Sequence, residues 1–405
     1  MMLFAFPRIR STALHCVGTK PRRSATQLES AQGSRPNSAV ENGGQQMPQK
    51  HLLIMAAGTG GHIIPGLAVA KEMQTRGWTI SWLGTQKGME NKLVPPSGIP
   101  MDTIAFAGLR GNGLMHSLKG TWQLLTAFAS CAKIIKNRKA NAVLGMGGYV
   151  CFPGGLMARL LRKPLMLVNA DASLLLSNKA LLPFAQGIAF GFDGDATLKL
   201  KNSSITGNPV RAEIEAVVAP AQRFAHRTGP LKLLVVGGSL GAKTLNDFVP
   251  QAIALMPAAQ RPQVTHQTGA AHLAVVRMTY DQVDVHADVR PFITHMADQL
   301  ANCDVIVCRA GAVTVSELCA AGVASVLVPL VVSTTSHQRD NAQWMASHGA
   351  GIHLPQGELT ARSLADLLMG LTRDTLLTMA SRARLLAKPH AAQRVADRIE
   401  GMVAA

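Results

Sequence analysis

The chain has 405 residues, a formal net charge of +17 at neutral pH, 47% hydrophobic residues and only 4% aromatic residues. This length suffices for two domains with substantial cores. Basic residues are not interleaved with aromatic ones, which argues against nucleic acid as a partner and favours an anionic substrate or membrane surface. No apolar run reaches the ~20 residues of a membrane span, which predicts a soluble or peripheral protein. The six cysteines lack metal-type spacing, which predicts reduced, buried thiols.

Residues 1–49 differ from the rest of the chain, because they are rich in Ser, Arg, Gln and Gly and carry few periodic apolar positions. Their composition is similar to that of a transit peptide. A disordered tail or a mis-annotated start fits at least as well, since Met47 lies directly before the first apolar run. We therefore treat this segment as an N-terminal extension outside the fold.

The first predicted strand, at 51–56, runs into the glycine-rich corner AAGTGGH. Apolar residues then recur at helical spacing as far as Gly77, which predicts a helix. Glycines at such a corner let the backbone approach a ligand, and the helix N-terminus favours phosphate or a developing oxyanion. The corner matches neither a Walker loop nor the GxGxxG fingerprint. A tight turn without a ligand is the other interpretation.

Apolar runs and helical patterns alternate through two halves of the chain, separated by ITGNPVR. The predicted strands lie at 51–56, 78–83, 101–106, 141–145, 164–168 and 187–192, then at the start of 231–242 and at 263–266, 289–293, 304–308, 324–328 and 350–353. This alternation predicts an α/β fold of two doubly wound, Rossmann-like domains that face a cleft. We expect an N-terminal domain at 50–210 and a C-terminal domain at 211–387. Of two helices predicted over about 372–403, the last (388–405) is expected to return and complete the N-terminal domain.

Both halves open with a strand, glycines and a helix, so AAGTGGH and VGGSLGA occupy equivalent corners that are expected to face each other.

In CRAGAVTVSEL, Gly311 and Ala312 permit close backbone approach at a helix start, and the hydroxyls that follow could cap the helix or bind phosphate. The Glu317 carboxylate, one turn further on, could accept hydrogen bonds from two ribose hydroxyls. An ordinary capped helix with Glu317 in solvent is the alternative.

Two further segments follow predicted strands. PLVVSTTSHQRDNAQW places His337, Gln338 and Asn341 near a helix start, where an imidazole and amides can bind sugar hydroxyls. GMGGYVCFPGG is another glycine-rich turn that could shape an acceptor pocket. A polar cap and a plain loop are the respective alternatives.

Residues 115–137 are predicted to form an amphipathic helix, with Leu118, Trp122, Leu125 and Ala129 at helical spacing. A stripe facing the core is the default interpretation, and an interfacial helix on anionic lipid is the alternative. In the segment Asp193-Gly194-Asp195, the two aspartates resemble the acidic pair that holds a metal on a nucleotide diphosphate in some sugar transferases. A surface turn is the favoured interpretation, because Asp and Gly form turns.

Seven strings in this order resemble the MurG family of peptidoglycan glycosyltransferases, over about residues 51–400: GTGGHIIPGLAVA, GLRGNGL, VLGMGGYV, TGNPVR, VVGGSLGA, HQTG and CRAGAVTVSE. The resemblance implies a GT-B fold and an inverting enzyme without metal or cofactor. Its expected reaction moves GlcNAc from UDP-GlcNAc to the 4-hydroxyl of undecaprenyl-pyrophosphate-linked MurNAc-pentapeptide. The resemblance also implies a peripheral protein at the cytoplasmic face of the bacterial inner membrane, with other cell-wall synthesis and division proteins as potential partners.

The resemblance further implies roles for individual residues. UDP-GlcNAc is expected mainly on the C-terminal domain, with Ile293 at the uracil, Glu317 at the ribose and Gln338 at the GlcNAc hydroxyls. The expected diphosphate-binding residues are Ser239, Ala312, Val313, Thr314, Val315 and Ser316. Arg211 is expected at the linker near the nucleotide sugar, and Asp171 at the sugar. The residues expected to approach from the N-terminal domain are Thr59, Gly60 and Gly61, with Gly147, Gly148 and Tyr149 shaping the acceptor pocket.

His62 is the candidate general base, because attack by the acceptor hydroxyl needs a proton acceptor and an imidazole titrates near neutral pH. Helix capping or acceptor positioning by His62 is the alternative. The chain departs from the family pattern at three places. Where the family has His-Glu-x-Asn, Asn169 replaces the glutamate and Asp171 replaces the sugar-contacting asparagine. Elsewhere in the chain, Leu240 replaces the family's glutamine after Ser239, and Ala57 replaces the first glycine of the loop. These changes leave open a transferase or epimerase for another substrate, or a UDP-GlcNAc-binding paralogue without turnover. A metal-dependent transferase that uses the Asp193 pair is the remaining alternative.

Overall fold

A computed structural model describes residues 49–106, 114–194, 200, 202–330 and 337–404 of the chain. The predicted extension, apart from Gln49, lies outside these residues. So do Asp195 and most of the string GLRGNGL. Within the described part, no helix is both long enough and apolar enough to cross a bilayer.

The first sheet has seven parallel strands in the order β3-β2-β1-β4-β5-β6-β7. Its strands are β1 (His51–Ala56), β2 (Thr79–Thr85), β3 (Met101–Ile104), β4 (Ala142–Gly147), β5 (Leu165–Asn169), β6 (Gly187–Phe190) and β7 (Ser203–Ile205). The helices of this half are α1 (Gly60–Thr75), α2 (Glu90–Leu93), α3 (Leu114–Asn137), α4 (Cys151–Leu160) and α5 (Leu176–Leu181). Residues Leu52–Ala56 are fully buried, as expected for a central strand covered by helices on both faces.

The second sheet has six parallel strands in the order β10-β9-β8-β11-β12-β13. Its strands are β8 (Lys232–Val236), β9 (Gln263–Gln267), β10 (Ala287–Arg290), β11 (Val305–Cys308), β12 (Ala324–Leu327) and β13 (Ile352–His353). The helices of this half are α6 (Ala212–Glu215), α7 (Pro220–Phe224), α8 (Lys243–Ala254), α9 (Leu273–Gln282), α10 (Met296–Asn302), α11 (Ala312–Ala321), α12 (His337–Ser347), α13 (Ala361–Met369), α14 (Arg373–Leu385) and α15 (Ala391–Ala404).

The predicted fold class is confirmed, because both sheets are parallel and doubly wound. The two sheets share one strand order, in which the first strand of each half lies beside the fourth. Ligands of such sheets bind where the strand order reverses, outside the carboxyl ends of the strands. The glycine corners after β1 and β8 lie at these two points.

Two expectations about individual elements need correction. Strand β7 was not predicted, because a three-residue edge strand of Ser203–Ile205 carries almost no periodic signal. The prediction that Trp122 and Leu125 face the core is wrong, because their side chains are 69% and 57% exposed. Helix α3 instead buries Ala127, Cys131 and Ile135. The cysteine prediction is confirmed for the described residues, whose five thiols are buried and unpaired.

Helix α15 returns to the first half of the chain and packs against α1. Arg76, which follows α1, donates to Asp397 at 2.6 Å and to Glu400 at 2.8 Å. Glu400 also accepts a hydrogen bond from the Trp78 indole at 3.1 Å. Glu72 completes the cluster at 2.8 Å from Arg76. One half-buried guanidinium therefore joins three carboxylates from two helices.

We expect Arg76→Ala to lower the free energy of unfolding by about 1–2 kcal/mol, because several charge-assisted hydrogen bonds are lost at a half-buried position. Lys243→Ala is the matched control, since it removes a single exposed ion pair with Asp247 that contributes about 0.5 kcal/mol or less. The measurement is the midpoint of urea denaturation, followed by tryptophan fluorescence. Equal shifts for the two variants would contradict this account of Arg76.

Candidate active site

The first glycine corner presents an open helix N-terminus to the cleft. Helix α1 begins at Gly60, and Thr59 at its N-cap makes no side-chain capping bond. The first turn contains no acidic residue, so its N–H groups and partial positive charge stay available for an anion. Gly58 adopts a φ of +96°, which only glycine adopts readily.

His62 projects from the first turn of α1 toward the glycine turn after β4. Its Nδ1 lies 3.4 Å from the Ala57 carbonyl oxygen, which can only accept, so Nδ1 carries the proton and Nε2 is free to accept another. Gly147 adopts a φ of +124°, and a Cβ there would lie 2.8 Å from Nε2. Burial lowers the pKa of His62, although the Ala57 carbonyl and the Asp171 carboxylate oppose that shift. The ring is therefore neutral at physiological pH, as a proton acceptor must be.

The turn after β4 interlocks with the first glycine corner. The Ala57 amide donates to the Gly147 carbonyl at 3.3 Å. Gly148 has a φ of +92°, and a Cβ on it would lie 2.5 Å from the Ala57 oxygen. Tyr149 is 46% exposed at the same turn. The structure thus places Gly147 against His62 and Gly148 against Ala57, and Tyr149 follows them in the same turn.

The second glycine corner is held by Gln267, which sequence reasoning did not single out. Its amide donates to the Gly238 carbonyl at 2.9 Å, and its Oε1 accepts from the Ile293 amide at 2.8 Å. The predicted diphosphate loop and the predicted uracil segment are therefore fixed to each other. Ser239 and Leu240 lie exposed on this loop, whereas the Ile293 side chain is buried.

Helix α11 presents a second open N-terminus. Gly311 is its N-cap, with no side-chain capping bond and no acidic residue in the first turn. Val313 and Thr314 are half-buried, but Val315 is fully buried. The Ser316 hydroxyl accepts a hydrogen bond from Asn208 of the linker at 3.0 Å. Backbone amides of this turn are therefore better placed to contact a phosphate than the Ser316 hydroxyl.

Glu317 forms an ion pair with Arg211, which also comes from the linker. The Arg211 Nε and Nη2 lie 3.0 Å and 2.9 Å from the Glu317 Oε1. The Glu317 side chain is only 13% exposed, so the alternative interpretation, a capped helix with Glu317 in solvent, is wrong. Burial raises the pKa of Glu317, and the Arg211 guanidinium opposes this shift. The second oxygen, Oε2, is left for another donor.

Helix α12 contacts the first half of the chain through one face. His337, Asn341 and Trp344 recur at helical spacing, and each bonds a residue that follows β5 or β6. The Asn341 amide donates to Asp171 Oδ1 at 2.9 Å and accepts from the Ala172 amide at 2.8 Å. The bonds from His337 to Ser173 Oγ, at 3.1 Å, and from Trp344 to Asp193 Oδ1, at 2.8 Å, flank this contact.

Gln338 lies beside this face, at the start of α12. Its Oε1 accepts from the Leu330 amide at 2.9 Å, and its amide nitrogen has no hydrogen-bond partner among the described residues. An amide donor suits a sugar hydroxyl. Asp193 is committed to Trp344, and its predicted partner Asp195 lies outside the described residues. Among the described residues, no group of three His, Cys, Asp or Glu side chains is placed to hold a metal ion.

Four buried polar residues hold the site together, and the sequence analysis singled out only one of them, Asn341, as a candidate for sugar hydroxyls. They are Glu90, Asn208, Gln267 and Asn341, each at most 2% exposed. Each of them bonds at least one residue that lies between 26 and 170 positions away in the chain. The helical spacing of His337, Asn341 and Trp344 was the one available signal.

Both halves of the chain match glycosyltransferase family 28: residues 52–190 match its N-terminal domain and residues 232–397 its C-terminal domain. A curated relative from Methylibium petroleiphilum is 65% identical over 362 residues, which are 88% of this chain and 99% of that protein. A relative from Chromobacterium violaceum is 64% identical and covers 87% of this chain and 98% of its own length. Both are named UDP-N-acetylglucosamine--N-acetylmuramyl-(pentapeptide) pyrophosphoryl-undecaprenol N-acetylglucosamine transferase.

Solved structures agree with these matches. The crystal structure of Acinetobacter baumannii MurG is 37% identical, has a TM-score of 0.76 and is matched over 87% of this chain and 99% of that one. A co-structure of S. aureus MnaA with UDP is 12% identical with a TM-score of 0.59, over 87% of this chain and 96% of that one, and shares the fold. The chain therefore belongs to glycosyltransferase family 28 and, within it, to the MurG family.

Proposed function

We propose that this protein is an inverting transferase that moves GlcNAc from UDP-GlcNAc to the 4-hydroxyl of undecaprenyl-pyrophosphate-linked MurNAc-pentapeptide. The observation that carries this proposal is the placement of His62. Its unprotonated Nε2 lies beside the Gly147 turn, and its helix α1 contacts α11 from the other half of the chain. The base His62 on α1 and the open N-terminus of α11 lie on opposite sides of the cleft. This arrangement suits an acceptor hydroxyl that displaces a diphosphate from the anomeric carbon of a sugar.

The proposed reaction divides between the two corners. The His62 Nε2 accepts the proton of the acceptor 4-hydroxyl while that oxygen attacks the anomeric carbon. The bond from this carbon to the UDP oxygen breaks, and UDP leaves with the electron pair. The open N-termini of α8 and α11 stabilise the charge that develops on the diphosphate. Attack opposite the leaving group inverts the configuration of the sugar.

We assign the donor to a domain of residues 211–387 and the acceptor to residues 50–210, completed by 388–405. The uracil is proposed to bind at Ile293 and the ribose at the free Oε2 of Glu317. The loop of Ser239 and the first turn of α11 would hold the diphosphate, with the Gln338 amide on the GlcNAc hydroxyls. The other proposed contacts to the nucleotide sugar are Thr59, Gly60, Gly61, Asp171 and Arg211.

The proposed site of action is the cytoplasmic face of the inner membrane, where the acceptor lipid would be reached. Helix α3 supports this placement, because Trp122 and Leu125 are mostly exposed and Lys133 and Lys136 lie exposed on the same helix. Exposed apolar side chains combined with lysines suit an anionic interface. At this membrane the enzyme would act alongside other proteins of cell-wall synthesis and division.

The direct test is transfer of radiolabelled GlcNAc from UDP-GlcNAc to the lipid-linked muramyl-pentapeptide. We expect transfer by the wild type to survive EDTA. We expect His62→Ala to lower kcat about 10²–10⁴-fold, the usual contribution of a general base, with exposed His226→Ala unchanged. Because burial keeps the pKa of His62 below 6.5, protonation should reduce kcat/KM only in the range under pH 6.5.

Several results would contradict this proposal. Retained UDP-GlcNAc binding without transfer would indicate another acceptor or a binding-only protein. Loss of activity in EDTA would favour the metal-dependent alternative. A fall of only a few fold in His62→Ala would assign the base to another group.

Glu317→Gln is expected to raise the KM for UDP-GlcNAc about 10-fold or more, because a hydrogen bond to a charged acceptor contributes roughly 1.5–3 kcal/mol. The measurement is the initial rate at varied donor concentration and saturating acceptor. Glu213→Gln is the control, since Glu213 is an exposed carboxylate near the same linker. The ribose assignment fails if the two variants have the same KM.

Trp122→Glu with Leu125→Glu is expected to reduce binding to vesicles of anionic phospholipid at least 10-fold, because an apolar contact is replaced by charge that the lipid repels. Val275→Glu with Met278→Glu is the control, since these side chains of α9 are similarly exposed, at 59% and 54%. Co-sedimentation measures the bound fraction. Equal losses for both pairs would mean that α3 is not the membrane surface.

A further inference from the structure

Glu90 is a fully buried carboxylate that the proposed reaction does not use. Its described partners are three hydrogen-bond donors rather than a cation. Oε2 accepts from the Gly58 amide at 3.0 Å, and Oε1 accepts from the Thr85 amide at 2.8 Å and the Thr85 hydroxyl at 2.6 Å. A buried charge without a cation is costly, so the presence of Glu90 at this place requires an explanation.

The carboxylate connects α2 to the first glycine corner. The Gly58 amide is held by Glu90, and the Gly58 carbonyl accepts from the Met89 amide at 3.4 Å. Both backbone groups of Gly58 are thus fixed by neighbouring residues at the start of α2. Thr59, the next residue, is the N-cap of α1, and His62 lies in the first turn of that helix.

Two glycines make room for this side chain. A Cβ on Gly84 would lie 2.7 Å from the Glu90 Cγ. A Cβ on Gly88 would overlap the Glu90 carboxylate, and its three nearest atoms all belong to Glu90. Neither glycine has a positive φ, so their small size serves the carboxylate rather than an unusual backbone conformation.

We propose that Glu90 is a positioning residue, which fixes the backbone of Gly58 and thereby the start of α1 and the direction of His62. This inference rests on the proposed role of His62 as the base. A glutamine has the same shape but cannot replace the carboxylate. If the amide oxygen of the glutamine accepted from Thr85, its NH₂ group would face the Gly58 amide. Two donors would then oppose each other. The corner would then lose its anchor on α2.

The test compares Glu90→Gln with Asp102→Asn, a matched control. Asp102 lies in the same half of the chain but pairs with Arg138, away from the glycine corner. We expect Glu90→Gln to lower kcat for GlcNAc transfer about 100-fold, the order expected for a misplacement of roughly 1 Å. The dissociation constant for UDP should change far less than kcat, since the proposed contacts to the uracil, the ribose and most of the diphosphate lie in the other domain. Deuterium exchange in the peptide that contains Gly58 should accelerate in this variant alone.

A double-mutant cycle with Gly88→Ala keeps the test independent of how well Glu90→Gln folds. We expect Gly88→Ala to lower kcat when Glu90 is present and to have no further effect in Glu90→Ala, where the overlap is gone. An equal loss in both backgrounds would overturn the inference, as would unchanged exchange and kcat in Glu90→Gln. Absence of transfer by the wild type would instead count against the proposed function, while the exchange measurement would still decide the role of Glu90.

Discussion

Asn341 joins the two halves of the chain through one fully buried side-chain amide. It donates to Asp171 and to the Ala310 carbonyl and accepts from the Ala172 amide. A buried amide must be satisfied, because each unpaired polar atom costs about 1–3 kcal/mol. The polar atoms of the Asn341 amide find these partners only when the end of β5 meets the turn that leads into α11. The placement of His62 opposite α11 depends on this contact.

In the proposed reaction, open helix N-termini supply positive potential and His62 supplies an uncharged base. Helices α1, α8 and α11 all start without a capping side chain and without an acidic residue in the first turn. Their open amides contribute positive potential to the cleft. The neutral His62 imidazole does not compete for the anion, and burial maintains that neutrality. A leaving diphosphate and a proton acceptor can therefore occupy adjacent regions of one cleft.

Sequence reasoning succeeded where the signal is local. Apolar runs located the strands, and glycines after β1, β4 and β8 marked the corners, because positive φ and close approach restrict the residue type. It failed for α3, since Trp122 and Leu125 have the same spacing whether a core or a lipid surface covers them. It also missed Glu90, whose bond to Gly58 joins residues 32 positions apart. Spacing predicts a face of an element, but it does not identify the partner.

The departures at positions 169 and 171 are accommodated by their surroundings. Asn169 donates to the carbonyls of Asp171 and Ser173 and accepts from the Leu175 amide. The family's glutamate, once ionised, can only accept, so this turn is built around an amide. Asp171 accepts from Asn341, which supplies the donor that a carboxylate needs. Both replacements are therefore matched by their partners, and Asp171 joins the two halves of the chain while it lies near His62.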